Sequence, residues 1–187
     1  MKNKINKKPL KNLKVLAHRQ DLTASSQSEH GLTFNVKKII VNPKYNSESH
    51  SQDTAIWLLS GKNQGLNQYP NLDLTGNITQ PGDIVFISGW GTTSSGGDLS
   101  DILLKAELPI VSNEECSKDY GETISNDQLC AAYPQGGTDT CQGDSGGPLF
   151  VVVNDTPVLV GATSWGQGCA LPGKPGVYAR ISSNAEW

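Results

Sequence analysis

The stretch Gly143-Asp144-Ser145-Gly146-Gly147-Pro148 places a serine between an acidic residue and two glycines, and Asp139 lies six residues before that serine. The glycines favour a tight turn that exposes Ser145. A serine hydroxyl is a weak nucleophile until a neighbouring base takes its proton, so nucleophilic catalysis at Ser145 requires a histidine partner. The alternative is a glycine-rich turn that contains an ordinary serine.

The composition indicates a globular, turn-rich β protein. Hydrophobic residues make up 36% of the 187 residues, and the chain contains 20 glycines and 10 prolines. Short runs rich in β-branched and aromatic residues, separated by Gly, Pro and Asn, predict strands at 34–41, 54–59, 84–88, 103–110, 149–153, 158–164 and 176–181. Many short strands with this punctuation are typical of barrels and sandwiches, so the sequence predicts a mostly β fold.

Two local signals predict particular elements. Ser112 followed three residues later by Glu115 fits a capping box and predicts one short helix at 112–120. Residues 151–153 and 158–160 are valine-rich runs on either side of Asn154-Asp155-Thr156-Pro157. They predict a β-hairpin with a four-residue connection.

The charge is unevenly distributed. Six lysines at positions 2, 4, 7, 8, 11 and 14 occur with no acid, although the net charge of the chain is −3. The start resembles the first part of a signal peptide, but no apolar stretch follows, and we predict that residues 1–12 are a leader outside the fold. The remaining body is acidic, which argues against nucleic-acid binding. No run approaches the roughly 18 apolar residues that span a membrane, so we expect no membrane partner.

Four cysteines occur without the close Cys-x-x-Cys spacing typical of zinc or redox sites. An even number can pair in three ways, and disulfides imply an oxidising compartment. The sequence specifies no cofactor and no metal site.

Four motifs together identify a resemblance to a known family. Alongside the Ser145 hexapeptide stand Ser88-Gly89-Trp90-Gly91, Ser164-Trp165-Gly166 and Lys174-Pro175-Gly176-Val177-Tyr178. In this order and spacing they resemble the chymotrypsin-like serine peptidases, nearest to trypsin, over about residues 13–187. The resemblance implies a double six-stranded antiparallel β-barrel. We expect residues 13–60 to be a remnant of an incomplete first barrel, 61–81 to be a linker, and 82–187 to be the second barrel.

The resemblance also implies the catalytic residues. Ser145 would be the nucleophile, and the N–H groups of Gly143 and Ser145 would bind the oxyanion. Asp53, at the start of an apolar run, would be the carboxylate that orients the catalytic histidine. An acidic residue at the start of a strand is also common on ordinary protein surfaces.

The substrate pocket is implied in the same way. Asp139 corresponds to the specificity aspartate of trypsin, and Gly166 and Gly176 correspond to the small residues that leave its pocket open, with Ser164 and Trp165 beside them. A carboxylate at the base of the pocket would pair with Arg or Lys of a polypeptide substrate or inhibitor. The alternative for Asp139 is an exposed loop aspartate next to a cystine.

The family resemblance further implies two structural disulfides. Cys141 and Cys169 would tie the walls of the pocket, and Cys116 and Cys130 would close the loop after the helix. Each would stabilise the fold by roughly 2–4 kcal/mol. We expect an extracellular protein that acts as a monomer.

Two family features do not occur in the sequence. Neither the histidine segment Thr-Ala-Ala-His-Cys nor a start like Ile-Val-Gly-Gly is present, and we expect a chain truncated at both ends. His18, His30 and His50 are not convincing replacements for the base. In the family, the new N-terminal ammonium pairs with the aspartate that matches Asp144, so we expect Asp144 to be unpaired and the pocket disordered or arranged as in a zymogen.

Two functions therefore stay open. The first is a trypsin-like serine endopeptidase that cleaves after Arg or Lys through an acyl-enzyme, with this chain near-inactive for want of the histidine. The second is a non-catalytic homologue that binds a protein partner as a decoy, inhibitor or regulator.

Overall fold

Short β-strands dominate the computed structural model, which describes residues 12–61, 66 and 68–187. The strands in these residues are β1 (Lys14–Ala17), β2 (Leu32–Val41), β3 (Ala55–Leu59), β4 (Asn71–Leu72), β5 (Ile84–Gly89), β6 (Leu104–Val111), β7 (Gln128–Ala131), β8 (Pro148–Val153), β9 (Thr156–Trp165) and β10 (Gly176–Arg180). One helix, α1 (Asn113–Tyr120), follows β6, and a short 3-10 helix covers Ser182–Asn184. The predicted mostly β fold is confirmed.

The chain divides into two compact units. One contains the described part of Met1–Val41 together with Ala55–Gln68, and the other contains Asn42–Thr54 and Tyr69–Trp187. The predicted leader lies, except for residue 12, outside the described residues.

An antiparallel sheet in the order β1, β2, β3 forms the first unit. Phe34 and Val36 of β2 are buried, while the residues between and beside them are exposed. This alternation with a period of two residues is typical of a strand that turns one face to a core. Most of β3 is exposed. In its described residues this unit has three strands, fewer than the six of a complete barrel.

Six antiparallel strands close into a barrel in the second unit. The order β10, β7, β6, β5, β8, β9 returns to its start because β9 also pairs with β10. β4, which lies within the predicted linker, adds a short parallel pairing to β9. The barrel interior is filled by fully buried side chains, the largest being Tyr178, Leu108, Leu129 and Leu149. The closed second barrel that the resemblance implies is thus confirmed.

The hairpin between β8 and β9 has a shorter turn than the sequence predicts. Val152 pairs with Pro157 and Val153 pairs with Thr156, which leaves only Asn154 and Asp155 in the connection. Their φ angles are 49° and 60°, as a type I′ turn requires. The prediction of a four-residue connection was wrong because Thr156 and Pro157 continue the strand.

The predicted helix is present and capped as expected at its start. Ser112 Oγ accepts a hydrogen bond from the N–H of Glu115 at 3.1 Å, which satisfies one of the free donors of the first turn. Gly121 ends the helix in the left-handed region, with φ 71°. Cys116, in the middle of α1, is fully buried. This side chain anchors the helix to the barrel, and the cap stabilises the start of the same helix.

Replacing the capping serine tests this account of α1. We expect Ser112→Ala to lower the free energy of unfolding by about 1 kcal/mol, because the N–H of Glu115 loses its acceptor. Ser112→Asp, which keeps an acceptor, should stay close to wild type. Denaturant titration measures both variants, and equal stabilities for the Ala and Asp variants would contradict the capping role.

Candidate active site

Ser145 lies on a tight turn between β7 and β8. The N–H of Gly147 donates to the carbonyl of Asp144 at 2.7 Å, and the N–H of Gly146 donates to the carbonyl of Thr163 at 2.9 Å. Gly146 has φ 78°, and a Cβ at Gly147 would lie 2.7 Å from the Asp144 carbonyl oxygen. The turn therefore requires both glycines, and it leaves the side chain of Ser145 exposed.

The turn that carries Ser145 has two backbone N–H groups without acceptors among the described residues. Gly143 has φ 97°, a left-handed conformation that side chains rarely adopt. Within the described residues, neither the N–H of Gly143 nor that of Ser145 donates a hydrogen bond. Such free donors can bind an oxygen that becomes negatively charged.

Asp53 is joined to strand β9 by its side chain. Ser164 Oγ donates to Asp53 Oδ2 at 2.7 Å. Asp53 is half-buried and precedes β3 by two residues. The residue after Ser164 is Trp165, which lines the same cavity as Ser145. Strand β9 thus connects the predicted triad carboxylate to the surroundings of the predicted nucleophile.

A cavity of about 180 Å³ contains the predicted specificity residues. We call it the Asp139 pocket, and its lining includes Asp139, Ser145, Ser164, Trp165, Gly166 and Gly176. The Asp139 carboxylate accepts hydrogen bonds from the N–H of Thr140 at 2.8 Å and from that of Ala170 at 3.0 Å. Burial raises the pKa of Asp139 despite these two bonds. The pocket therefore presents a partly desolvated acidic group to a ligand.

The sequence did not indicate that two tyrosine side chains support this pocket. Tyr178 is fully buried, its hydroxyl lies 3.2 Å from Thr140 Oγ1, and burial raises its pKa. Tyr120 donates to the carbonyl of Pro175 at 2.6 Å, and its ring meets that of Trp165 edge-on at 4.8 Å. Nothing local distinguishes these tyrosines from ordinary core aromatics, because their contacts come from residues distant in sequence.

Both disulfides lie in the second unit. Cys141 pairs with Cys169, and Cys116 pairs with Cys130. The first joins two segments around the Asp139 pocket, and the second joins α1 to β7. No cysteine is free, so disulfides, rather than metal or redox chemistry, account for all four.

Asp144 forms no ion pair with a described residue, and two backbone N–H groups bind its carboxylate instead. Its Oδ1 accepts from the N–H of Gly91 at 2.8 Å, and its Oδ2 accepts from the N–H of Cys141 at 2.9 Å. A separate cavity of about 320 Å³ adjoins this carboxylate and is lined by residues that include Leu104, Lys105 and Thr138. The two backbone donors compensate part of the desolvation of the charge.

None of the histidines is hydrogen-bonded to Ser145 in the part of the chain that the structure describes. The His50 ring instead stacks on Trp165, with 5.5 Å between ring centroids, and His18 and His30 belong to the first unit. Among the described residues, no cluster of His, Cys, Asp and Glu side chains could hold a metal ion. No helix in these residues is long and apolar enough to cross a membrane.

The space around Gly176 provides a test of the pocket geometry. A Cβ at Gly176 would lie 2.6 Å from Asp139 Oδ1 and 3.0 Å from the Tyr178 hydroxyl, whereas a Cβ at Gly166 would come no closer than 3.8 Å to any atom. We expect Gly176→Ala to lower the free energy of unfolding by about 1–3 kcal/mol through overpacking. Gly166→Ala, the matched control, should change it by less than about 0.5 kcal/mol. Equal effects in denaturant titrations would contradict this geometry.

Comparison with known proteins identifies the family. The model of the family named Trypsin matches residues 7–187. Trypsin-1 of Astacus astacus is 39% identical over 176 residues, covering 94% of this chain and 73% of that protein. Trypsin of Saccharopolyspora erythraea is 42% identical over 157 residues, covering 83% of this chain and 66% of that protein. The closed antiparallel barrel, the two disulfides and these matches agree, and the chain belongs to the trypsin family of serine peptidases.

Proposed function

We propose that this chain carries the nucleophile and the specificity pocket of a serine endopeptidase that cleaves polypeptides after Arg or Lys. The observation that carries the proposal is the placement of Asp139 and Ser145 in the lining of one cavity of about 180 Å³. The similar proteins are named trypsins, which supports the reaction class. The Asp139 carboxylate supplies the preference for a basic side chain.

The selectivity has a simple electrostatic origin. The Asp139 carboxylate is partly removed from water and receives two backbone hydrogen bonds. A guanidinium or ammonium group that enters the pocket pairs with this charge, and a neutral side chain leaves it uncompensated in a poorly hydrated site. The site should therefore discriminate strongly between substrates whose entering side chains differ by one charge.

The roles of the reacting groups follow from their positions. Ser145 Oγ attacks the scissile carbonyl carbon, and the oxygen that becomes negative accepts hydrogen bonds from the N–H groups of Gly143 and Ser145. The carbon–nitrogen bond then breaks, the amine leaves with a proton from the general base, and an ester to Ser145 remains. Water hydrolyses this ester and restores the serine. Asp53 orients and stabilises the histidine base.

The general base is the group that the described residues do not provide. His50 is stacked on Trp165 rather than hydrogen-bonded to Ser145. In subtilisin, which uses the same type of triad, removal of the histidine base alone lowers the rate about a millionfold. We therefore expect the 187-residue chain to bind basic side chains with turnover near the uncatalysed background.

Asp144 adds a second requirement for activity. The cavity of about 320 Å³ beside its carboxylate has room for a terminal ammonium group, and such a group would pair with Asp144 as the family resemblance implies. The backbone bonds from Gly91 and Cys141 would remain as its further partners. Pairing there would stabilise the conformation of the neighbouring Gly143–Ser145 donors.

A non-catalytic role is the second candidate. The absence of a histidine at Ser145 within the described residues favours a homologue that binds a protein partner as a decoy, inhibitor or regulator. Both candidates act on polypeptides as monomers in an oxidising, extracellular setting, which the two disulfides support. The two candidates differ in whether the protein hydrolyses the polypeptide that it binds.

Binding of a small cation tests the specificity. Benzamidinium is a rigid amidinium similar to the end of an arginine side chain. We expect it to bind the wild-type chain, and to bind the Asp139→Asn variant at least about tenfold more weakly. Calorimetric titration at neutral pH measures both. Equal affinities would contradict the role of Asp139.

The pH dependence of the same binding has a defined sign. Only the ionised carboxylate attracts the cation, and the pKa of Asp139 lies above its ordinary value because the group is buried. Affinity should therefore be full well above this raised pKa and fall as the pH decreases through it, at a higher pH than for an ordinary aspartate. Affinity that is constant down to the ordinary aspartate range would contradict the burial of this charge.

Ester hydrolysis tests whether this chain is catalytic without a histidine base. We expect the purified chain and its Ser145→Ala variant to hydrolyse an arginyl ester equally slowly, because neither has a base beside residue 145. Trypsin-like rates that disappear in Ser145→Ala would show catalysis by this chain and exclude the non-catalytic candidate. Hydrolysis that persists in Ser145→Ala would indicate a contaminant.

A further inference from the structure

The loop that carries Asp53 has a strained backbone. Residues 42–54 connect β2 to β3, and we call them the Asp53 loop. His50 and Gln52 have φ angles of 54° and 55°, in the left-handed region that non-glycine residues rarely adopt. Such conformations cost free energy and persist only where surrounding contacts impose them. The contacts that impose this one therefore also determine where Asp53 lies.

Asp127 binds the two residues that directly precede Asp53. Its Oδ2 accepts a hydrogen bond from the N–H of Gln52 at 2.6 Å and another from Ser51 Oγ at 3.0 Å. Burial alone would raise the pKa of Asp127, but the hydrogen bonds from Ser125, Gln52 and Ser51 outweigh it and hold the pKa below its ordinary value. The carboxylate is thus ionised at neutral pH and binds the strained part of the loop through charge-assisted bonds.

The segment around Asp127 is itself well fixed. Arg180 donates to the carbonyl of Asn126 at 2.9 Å and to that of Gln128 at 3.1 Å. Gln128 is only 2% exposed, and its side chain donates to the carbonyl of Ser49 at 3.2 Å. Asp127 lies in the turn directly before β7, and these hydrogen bonds tie that turn to Arg180 of β10 and to the Asp53 loop.

The base of the Asp53 loop is held independently. Asn42 Nδ2 and Thr54 Oγ1 both donate to Asn184 Oδ1, at 2.8 and 2.7 Å, and the N–H of Asn42 donates to the carbonyl of Thr54. The loop therefore does not need Asp127 to stay closed at its base. Asp127 instead orients the peptide next to Asp53. The Asp53 carboxylate accepts a hydrogen bond from Ser164 Oγ at 2.7 Å.

We propose that Asp127 is a positioning residue for Asp53: its carboxylate holds the N–H of Gln52 and thereby keeps the Asp53 carboxylate against Ser164. The importance of this positioning for catalysis rests on the proposed function, in which Asp53 orients the histidine base. The coupling between Asp127 and Asp53 is a physical property that can be measured without turnover. Small displacements of a positioned group are costly in catalysis, which gives the coupling its importance.

Carbon NMR of the full chain tests the coupling. In protein labelled at aspartate, Asp53→Asn assigns the Asp53 carboxyl resonance, and Ser164→Ala marks its position when the hydrogen bond to Ser164 is lost. We expect Asp127→Ala to move this resonance most of the way to the Ser164→Ala position and to speed amide exchange of Thr54 by about tenfold. Asp127→Asn retains one accepting oxygen and should restore exchange to within about threefold of wild type.

Controls separate positioning from general loss of stability. Ser112→Ala destabilises α1 without touching the Asp53 loop and should leave the resonance unmoved. An unmoved resonance and unchanged Thr54 exchange in Asp127→Ala would overturn the proposal. If Asp127→Ala does not fold, Asp127→Asn and Ser51→Ala should each move the resonance in the same direction by less, and no movement in either would overturn it.

Benzamidinium titration of the same samples keeps the two proposals apart. Asp127 does not line the Asp139 pocket, so Asp127→Ala should bind the cation as tightly as wild type. A wild-type chain that binds none would contradict the proposed specificity, while the Asp53 resonance would still decide the role of Asp127.

Discussion

The hydrogen bonds between the Ser145 turn and strand β9 are the interaction on which the rest of the site depends. The N–H of Gly146 donates to the carbonyl of Thr163, and the N–H of Thr163 donates to the carbonyl of Gly147. They fix the turn beside the strand that carries Ser164, Trp165 and, directly after it, Gly166. Because Ser164 also donates a hydrogen bond to Asp53, one strand contacts the Ser145 turn, lines the Asp139 pocket and binds Asp53. The closed barrel holds that strand on both sides, through β8 and β10.

Three carboxylates in the second unit are bound in the same way, by backbone N–H groups. Asp139, Asp144 and Asp127 each accept hydrogen bonds from backbone N–H groups. None of the three forms an ion pair with a described residue. Backbone donors compensate a buried charge without neutralising it. Asp139 can therefore still attract a cation, and Asp127 can still orient a strained loop. Under the two proposals, the same chemistry would serve substrate specificity at Asp139 and the positioning of a loop at Asp127.

The site separates binding from proton transfer. Ser145 and the N–H groups of Gly143 and Ser145 lie on the turn before β8, and Ser145 lines the Asp139 pocket together with residues of β9 and β10. The base would have to reach Ser145 from elsewhere, with Asp53 behind it. Under the proposed function, a chain with these groups alone would recognise a basic side chain and present a serine to it.

Local patterns determined much of this protein. The Gly-Asp-Ser-Gly-Gly-Pro turn, the capped helix and most strands could be predicted because they rest on glycine conformations, a cap and short β-branched runs. The family resemblance added the pairing of four cysteines and the candidate roles of Ser145, Asp53 and Asp139. Those roles remain proposals for this chain. Even so, the short Asn154-Asp155 turn was missed, because whether Thr156 and Pro157 belong to a turn or a strand depends on their partners in β8.

Only the tertiary structure decided how the acidic residues are partnered. Asp144 was expected to lack an ammonium partner, and the sequence did not indicate its hydrogen bond from the N–H of Gly91, which is 53 residues away. Asp127 gave no signal in the sequence, because its importance comes from Gln52, 75 residues away. Hydrogen bonds across a closed barrel depend on strand order and register, which short-range preferences do not encode. The sequence thus determined which residues can do chemistry, and the barrel decided what surrounds each of them.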